Sequence, residues 1–142
     1  MLNLPDIRQT QQYDCGRAAA MTVMKFFGKD ELDSTLPVDR LHGTDPGQME
    51  TWLRARIPVM AGTCPIDVIK HSTEYLRPVI CLVSLYGGHW IVVRGVSRAW
   101  VHFQDPYAGR QKLRIPDFEA IYRDDSRFGI PLVNWGLVCY GS

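Results

Sequence analysis

The sequence predicts an α+β protein in which helices come first and strands follow. Apolar residues recur at helical spacing after Cys15, and two further segments ahead of Pro78 begin with helix-start signals. Beyond Pro78, apolar runs bounded by glycine and proline are typical of strands. With 142 residues and 46% hydrophobic content, the chain can bury a sizeable core, and we expect one domain over residues 1–142.

The charge balance argues against partners that bind by strong electrostatics. Sixteen basic residues stand against fifteen acidic ones, the net charge is +1, and the basic residues do not cluster. We therefore expect neither nucleic acid nor a membrane surface as a partner. The first residues carry no signal-peptide pattern and no apolar run approaches about 18 residues, which predicts a cytoplasmic protein without an integral membrane segment.

Four cysteines lie far apart in the sequence, at Cys15, Cys64, Cys81 and Cys139. No Cys-x-x-Cys pair and no His-Glu-x-x-His sequence occurs, so we expect no metal and no cofactor. Cys81 lies in an apolar run, where a thiol acts as a small core residue. Reduced thiols are our prediction for all four, and two disulfide bridges are the alternative for an extracellular protein.

The first helix is predicted to begin at Cys15, directly after Asp14, which is a good N-cap residue, and to end at Gly28. Its buried face is an apolar stripe at i, i+3, i+4 and i+7, formed by Ala20, Val23, Met24 and Phe27. The first turn of a helix favours a thiolate, but by at most about 2 kcal/mol, or roughly one pKa unit. A nucleophilic Cys15 would therefore need an imidazole base, with a carboxylate or amide behind the ring.

Three elements are expected between the first helix and Pro78, after a charged surface connection at residues 29–43. A second helix opens at residues 44–48 and ends before Pro58, a strand covers 57–62, and a third helix covers 65–76. The next run, at residues 79–83, is apolar throughout, which predicts a central strand covered on both faces.

A hairpin is predicted from strands at residues 89–96 and 100–104, joined by a three-residue turn. This turn pairs residue 96 with 100 and residue 91 with 105, so His89 lies diagonally across from Asp105, at about 7–8 Å between backbones. One face carries His89, Ile91, Val101, Phe103 and Asp105, and the other carries Trp90, His102 and Gln104. A slip of one residue would send His89 and Asp105 to opposite faces.

The rest of the chain is predicted to add smaller elements. We expect a strand at residues 111–115, a short helix at 116–122 and a closing strand at 133–140. Residues 123–129 are charged and expected to be exposed.

Several of these residues together resemble a known family, in the right order from residue 9 to about residue 122. They are Gln9, the triplet Asp14-Cys15-Gly16, the run Gly88-His89-Trp90-Ile91-Val92-Val93 and the pair Asp105-Pro106. The set resembles the bacteriocin-processing cysteine peptidases, the papain-like domains at the front of peptidase-containing ABC transporters.

The resemblance implies a papain-like fold, in which an antiparallel sheet packs against the helix that carries the cysteine. It also implies roles: Cys15 as nucleophile, His89 as general base, Asp105 as the group that orients the ring, and Gln9 as a donor to the oxyanion hole. Two features depart from the family. Arg17 stands where the transporters usually have a small residue or proline, and no membrane or nucleotide-binding domain follows, so we expect a free-standing member or a relative with another substrate.

Each motif also has a purely structural interpretation. Cys15 alone could be a core thiol, His89 could merely begin a strand, and Asp105 with the proline after it is a common turn. Gln11 and Gln12 compete with Gln9 for its role. His42, His71 and His102 are expected to be bystanders, and Trp90, Trp100 and Trp135 to serve packing.

Three functions remain open at this point, all with a peptide or protein partner. The first is a cysteine peptidase, which the resemblance implies would cleave after paired small residues of a leader peptide. The second uses the same triad for acyl transfer, transglutamination or glutamine deamidation, because an acyl-enzyme does not dictate its acceptor. The third is an inactive adaptor or inhibitor with the same fold.

Overall fold

The structure is a computed structural model that describes residues 1–29, 36–40, 43–124, 128 and 131–141. Its four helices within these ranges are α1 (Cys15–Phe26), α2 (Pro46–Arg54), α3 (Ile66–Glu74) and α4 (Ile115–Ile121). The strands described are β1 (Val59–Thr63), β2 (Val79–Val83), β3 (His89–Val96), β4 (Trp100–Asp105), β5 (Gly109–Arg114), β6 (Arg123–Asp124), β7 (Leu132–Val133) and β8 (Trp135–Cys139). The predicted α+β fold is confirmed, although the helices do not all come first, since β1 precedes α3 and α4 follows β5.

Six strands form one antiparallel sheet in the order β1-β8-β2-β3-β4-β5, and β6 pairs with β7 separately. All five residues of β2 are buried, and β2 lies inside the sheet as its apolar run predicted. All neighbouring pairs of this sheet are antiparallel. The strands β2, β3, β4 and β5 follow one another along the chain, whereas β8 comes from the C-terminal end and lies between β1 and β2.

Helices cover both faces of the sheet, which separates the core into two apolar clusters. On one face, α1 and α2 pack with Trp90 and Val92 of β3. On the other face, α3 and α4 pack with Ile91, Val93 and Phe103. The alternation along β3 and β4 that the sequence predicted is thus reproduced by the packing.

The β3–β4 hairpin differs from the prediction at its turn and agrees with it near the end that carries His89. Val96 pairs with Val101, so the predicted three-residue turn is wrong. The register then shifts between Val93 and Gly95, after which Val93 pairs with Phe103 as predicted. The extra residue in the bulge offsets the extra residue in the turn, and His89 and Asp105 are brought together.

Two further predictions are corrected near the C-terminus. The closing strand is divided into β7 and β8, because Asn134 lies between them in the left-handed conformation, with a φ of 55°. Of the residues 123–129 that were expected to be exposed, Arg123 is exposed but Asp124 is buried, and both pair with β7. Residues 125–127 and 129 lie outside the described residues.

The ends of the first two helices follow their sequence signals to different degrees. The helix α2 begins where its opening residues predicted, and Asp45 and Gln48 form a capping box there. Asp14 precedes α1 but makes no side-chain capping hydrogen bond, so the predicted cap is wrong in detail.

Among the described residues, no helix is both long enough and apolar enough to cross a membrane.

Candidate active site

Cys15 is the first residue of α1, the position that the helix-start argument predicted. The glycine after it is needed for close packing. A Cβ atom on Gly16 would lie 2.9 Å from Thr44 Oγ1 and 3.1 Å from Trp90 Cδ1. The indole N–H of Trp90 donates to the Thr44 carbonyl oxygen at 2.9 Å. The start of α1 therefore sits directly against β3, which fixes the backbone of Cys15 near the start of that strand.

The Asp14 carboxylate holds the loop before Cys15 instead of capping the helix. It accepts hydrogen bonds from the backbone N–H of Thr10 at 3.1 Å, the Thr10 hydroxyl at 2.7 Å and the backbone N–H of Gln11 at 3.0 Å. These bonds close a tight loop immediately after Gln9. Because no side chain caps α1, the positive end of the helix dipole stays directed at the position of Cys15.

His89 and Asp105 form a buried pair, with 2.6 Å between Nε2 and Oδ1. Their side chains are only 4% and 2% exposed. A second bond fixes the carboxylate, since Oδ1 of Asp105 also accepts the backbone N–H of Tyr107 at 2.8 Å. The contact between His89 and Asp105 that the hairpin register predicted is confirmed.

The ring of His89 also interacts with Cys15. Burial by itself lowers the pKa of His89, but the hydrogen bonds to Asp105 and to Cys15 outweigh it and raise that pKa to about 9. Burial acts on Asp105 in the opposite direction, and the hydrogen bond from His89 still leaves the pKa of Asp105 below its usual value. Both shifts favour an imidazolium that lies between a carboxylate and the Cys15 sulfur.

Gln9 is held beside this group at the end of the N-terminal segment. Its backbone N–H donates to the Pro106 carbonyl oxygen at 2.8 Å, which ties it to the loop after Asp105. One N–H of its side-chain amide donates to the Gln11 carbonyl oxygen at 2.8 Å. The Oε1 atom is buried and has no hydrogen-bond partner within the described residues. An amide bonded on one side only has donor and acceptor capacity left for another molecule.

A cavity of about 420 Å³ joins three of the four predicted site residues. It is lined by Gln9, Gln12, Tyr13, Cys15, Arg40, Gly43, Tyr86, Gly87, Gly88, His89 and Tyr107. Asp105 lies behind His89 and does not line it. Arg40, Tyr86 and Tyr107 were not predicted from the sequence, although both tyrosines stand within three residues of a predicted site residue.

The other candidates lie elsewhere or play no part in this group. Gln11 is exposed and makes its hydrogen bonds to Gln9 and Asp14 through its backbone, whereas Gln12 lines the cavity. His102 bonds to Ser97 at 2.9 Å and His71 stacks near Tyr75, so neither approaches Cys15. His42 lies outside the described residues.

The three other cysteines are confined to the core. None of the four cysteines, all of which the structure describes, forms a disulfide, as predicted. Burial raises the pKa of Cys64, Cys81 and Cys139, and these thiols line no part of the cavity.

The three tryptophans that were expected to serve packing do so. Trp90 is fully buried against Trp135, and the side chains of Lys112 and Arg114 cover the ring of Trp100.

Comparisons with known proteins identify the family and the fold of the chain. The model of the Peptidase C39 family matches residues 3–125. A comparison with curated proteins finds no match.

Three solved structures share the fold at low sequence identity. One is a double glycine motif protease from an AMS/PCAT transporter, solved with its leader peptide: it is 16% identical, the match covers 97% of this chain and 91% of that one, and the TM-score is 0.71. The peptidase domain of Streptococcus ComA is 14% identical, with 98% of each chain covered and a TM-score of 0.72. A protein of Bacillus anthracis described as a C39-like peptidase is 13% identical, with 99% of this chain and 96% of that chain covered and a TM-score of 0.74.

Proposed function

This chain belongs to the Peptidase C39 family, and we propose that it is an active cysteine peptidase with Cys15 as its nucleophile. The observation that carries the proposal is the position of His89, which interacts with Asp105 on one side and with Cys15 on the other. Nucleophile, base and orienting group in this order form the arrangement that activates a thiol. A merely structural histidine would have no need of both partners.

The reaction follows from the charges at the site. The Cys15 thiolate attacks the carbonyl carbon of the scissile bond, and the carbonyl oxygen becomes negative. A side-chain N–H of Gln9 and the backbone N–H of Cys15 donate to that oxygen, and this stabilises the transition state more than the bound substrate. The His89 imidazolium then gives its proton to the leaving nitrogen, and a thioester on Cys15 remains.

Hydrolysis completes the cycle. Neutral His89 removes a proton from a water molecule, the resulting hydroxide attacks the thioester carbonyl, and the Cys15 thiolate leaves. His89 is again protonated and the free acid departs. Asp105 keeps the ring in place throughout and stabilises its positive charge.

The substrate we propose is a peptide cleaved after paired small residues of the Gly-Gly type. The support is the likeness to the transporter protease whose structure contains a leader peptide. The cavity beside Cys15 also has three glycines in its lining, which leave room for the backbone of a substrate with small residues.

Mass spectrometry after incubation with a peptide library tests the proposal. The library holds Gly-Gly, Ala-Gly and Leu-Leu sites, a glutamine and a primary amine as competing acceptor. We expect cleavage after Gly-Gly and none with the Cys15→Ala variant. A gain in mass through the amine, or loss of ammonia from glutamine, would show acyl transfer or deamidation instead, and silence with every peptide would favour an inactive adaptor.

A further inference from the structure

Two tyrosines at the mouth of the cavity form an aromatic pair against His89. Tyr86 and Tyr107 pack edge to face, with 5.0 Å between ring centroids. The Tyr86 ring also lies edge to face with the His89 ring, at 5.1 Å. Each tyrosine is 62% exposed, so neither contributes much to the core. The pair leaves a large aromatic surface open beside the imidazole.

The backbone at Tyr86 is held in a conformation that a tyrosine seldom adopts. Its φ is 54° and its ψ is 31°, which is the left-handed region. Gly87 and Gly88 follow with φ values of 80° and 120°, so the chain makes a turn that only glycines accept easily. A bulky residue held in this region beside a catalytic group points to a function, because the strain brings no gain in core packing.

Hydrogen bonds on both sides hold the backbone of Tyr107. Its backbone N–H donates to Asp105 Oδ1 at 2.8 Å, and its carbonyl oxygen accepts from Arg8 Nη1 at 3.4 Å. The Tyr107 ring packs on Tyr86, which in turn contacts the imidazole. A preorganised aromatic surface binds an apolar group without the entropy cost of ordering its own side chains.

The proposed reaction determines which part of a substrate would meet these rings. His89 must reach the leaving nitrogen in order to protonate it. The residue that begins at this nitrogen therefore lies beside His89, and so beside Tyr86 and Tyr107. We propose that the tyrosine pair is a binding subsite for the residue that follows the scissile bond, and that it favours an apolar or aromatic side chain there.

This inference rests on the proposed function, but it can be tested apart from it. Peptides of one sequence that differ only after the Gly-Gly site, with Phe, Leu, Ala or Asp, are compared by kcat/KM. An aromatic contact corresponds to roughly a threefold to tenfold preference for Phe over Ala. We expect wild type to show this preference and the Tyr86→Asn and Tyr107→Ala variants to lose it.

The variants are chosen to protect the fold. Asn accepts the left-handed conformation better than other residues that could replace Tyr86, so Tyr86→Asn removes the ring and keeps the turn. Tyr75→Ala is the matched control, since Tyr75 is also 62% exposed and lies outside the cavity. It should keep both the rate and the preference of wild type.

Binding provides the second measurement. The same peptides are titrated against Cys15→Ala alone and against Cys15→Ala combined with Tyr86→Asn. Tighter binding of the Phe peptide that disappears in the double variant supports the subsite even if no peptide is cleaved, in which case only the proposed function fails.

Equal binding and equal cleavage of the Phe and Ala peptides by wild type would overturn the subsite, and so would a preference that survives both tyrosine substitutions. If the tyrosine substitutions slow the cleavage of all peptides by the same factor, the rings only shield His89 from water, and the subsite is again rejected.

Discussion

At the scale of single residues, the site depends on groups whose surroundings differ from those of ordinary surface side chains. His89 carries the largest consequence, because it is buried and still favours the charged form. Only the negative partners on its two sides can explain this, since burial alone would favour the neutral ring. The chemistry of this protein should therefore follow the protonation of His89.

The first prediction concerns pH. His89 is protonated below its pKa of about 9 and loses its proton as the pH rises through that value. Because the proton is needed at the leaving nitrogen, kcat/KM should fall on the alkaline side near pH 9, well above the value expected for an ordinary histidine.

The Asp105→Asn variant is the control for this assignment. An amide still holds the ring but no longer stabilises its charge, so the pKa of His89 should fall and the alkaline limb should move to lower pH. Turnover should also decrease while the fold is retained. An alkaline limb at the same pH in both proteins would contradict the role of Asp105.

The second prediction concerns Gln9. Losing one oxyanion donor costs about 2.7–4 kcal/mol, or roughly a hundredfold to a thousandfold in kcat. Gln9→Ala should show a loss of this size in steady-state kinetics, with the thermal midpoint nearly unchanged.

The matched control is Gln11→Ala. Gln11 is exposed, and only its backbone carbonyl contacts Gln9. This variant should keep the wild-type rate. Gln12 is a poorer control because it lines the cavity. Equal rates for Gln9→Ala and wild type would remove Gln9 from the mechanism.

At the scale of elements, the placement of Cys15 depends on how closely α1 approaches β3. Gly16 permits this approach, because a Cβ atom at this position would lie too close to the side chains of Thr44 and Trp90. Each position of the motif Asp14-Cys15-Gly16 thus has its own physical reason: Asp14 closes the loop, Cys15 is the proposed nucleophile, and Gly16 allows the helix to contact β3.

The third prediction follows from that contact. Gly16→Ala should destabilise the fold by about 1–3 kcal/mol through overpacking, and should lower turnover because Cys15 is displaced. Thermal unfolding and kinetics measure both effects.

Gly47→Ala is the matched control. Gly47 also lies in the first turn of a helix, and a Cβ atom added there would lie 3.4 Å from Asp45 Oδ1, which is an ordinary contact. It should be neutral or slightly stabilising. A Gly16→Ala variant as stable and active as Gly47→Ala would contradict the packing argument.

The hairpin shows where sequence reasoning reaches its limit for an element. The strand bounds of β3 follow from its apolar run and its flanking glycines, and the structure has them at His89–Val96 as predicted. The turn length and the bulge near Arg94 do not follow, because a bulge depends on how the strand twists against its neighbours. The turn has one residue more than predicted, and the bulge adds one residue to the other strand, so the two differences cancel. The contact of His89 with Asp105 was therefore predicted for a partly wrong reason.

At the scale of the whole molecule, apolar patterning determines the layers. The chain shares its fold with structures that are 13–16% identical to it. Periodic apolar runs and helix-start signals were sufficient to predict the four helices that the structure describes and the central strands. The break at Asn134 and the burial of Asp124 were not predictable, because each depends on contacts between segments rather than on local sequence.

The site was predictable to a similar extent. The order of Gln9, Cys15, His89 and Asp105 identified the residues that the fold brings together. Tyr86 and Tyr107 had no comparable signal, since exposed tyrosines beside glycine and proline are common in loops. The contacts of Tyr86 with His89 and of Tyr107 with Tyr86 depend on the turn conformation at Tyr86, which only the structure shows.

The central claim is that Cys15 is an activated nucleophile, and competitive alkylation tests it most directly. All four cysteines are buried, with Cys15 3% exposed, so exposure alone does not distinguish them. Only Cys15 lines the cavity and interacts with His89, whereas burial raises the pKa of the other three. Folded protein is treated with iodoacetamide at about pH 6.5, where an ordinary thiol is largely protonated, and the labelled peptides are quantified by mass spectrometry. The account predicts that Cys15 is labelled well ahead of the others and that His89→Ala slows this reaction. Labelling of Cys64, Cys81 or Cys139 before Cys15, or a rate unaffected by His89→Ala, would contradict it.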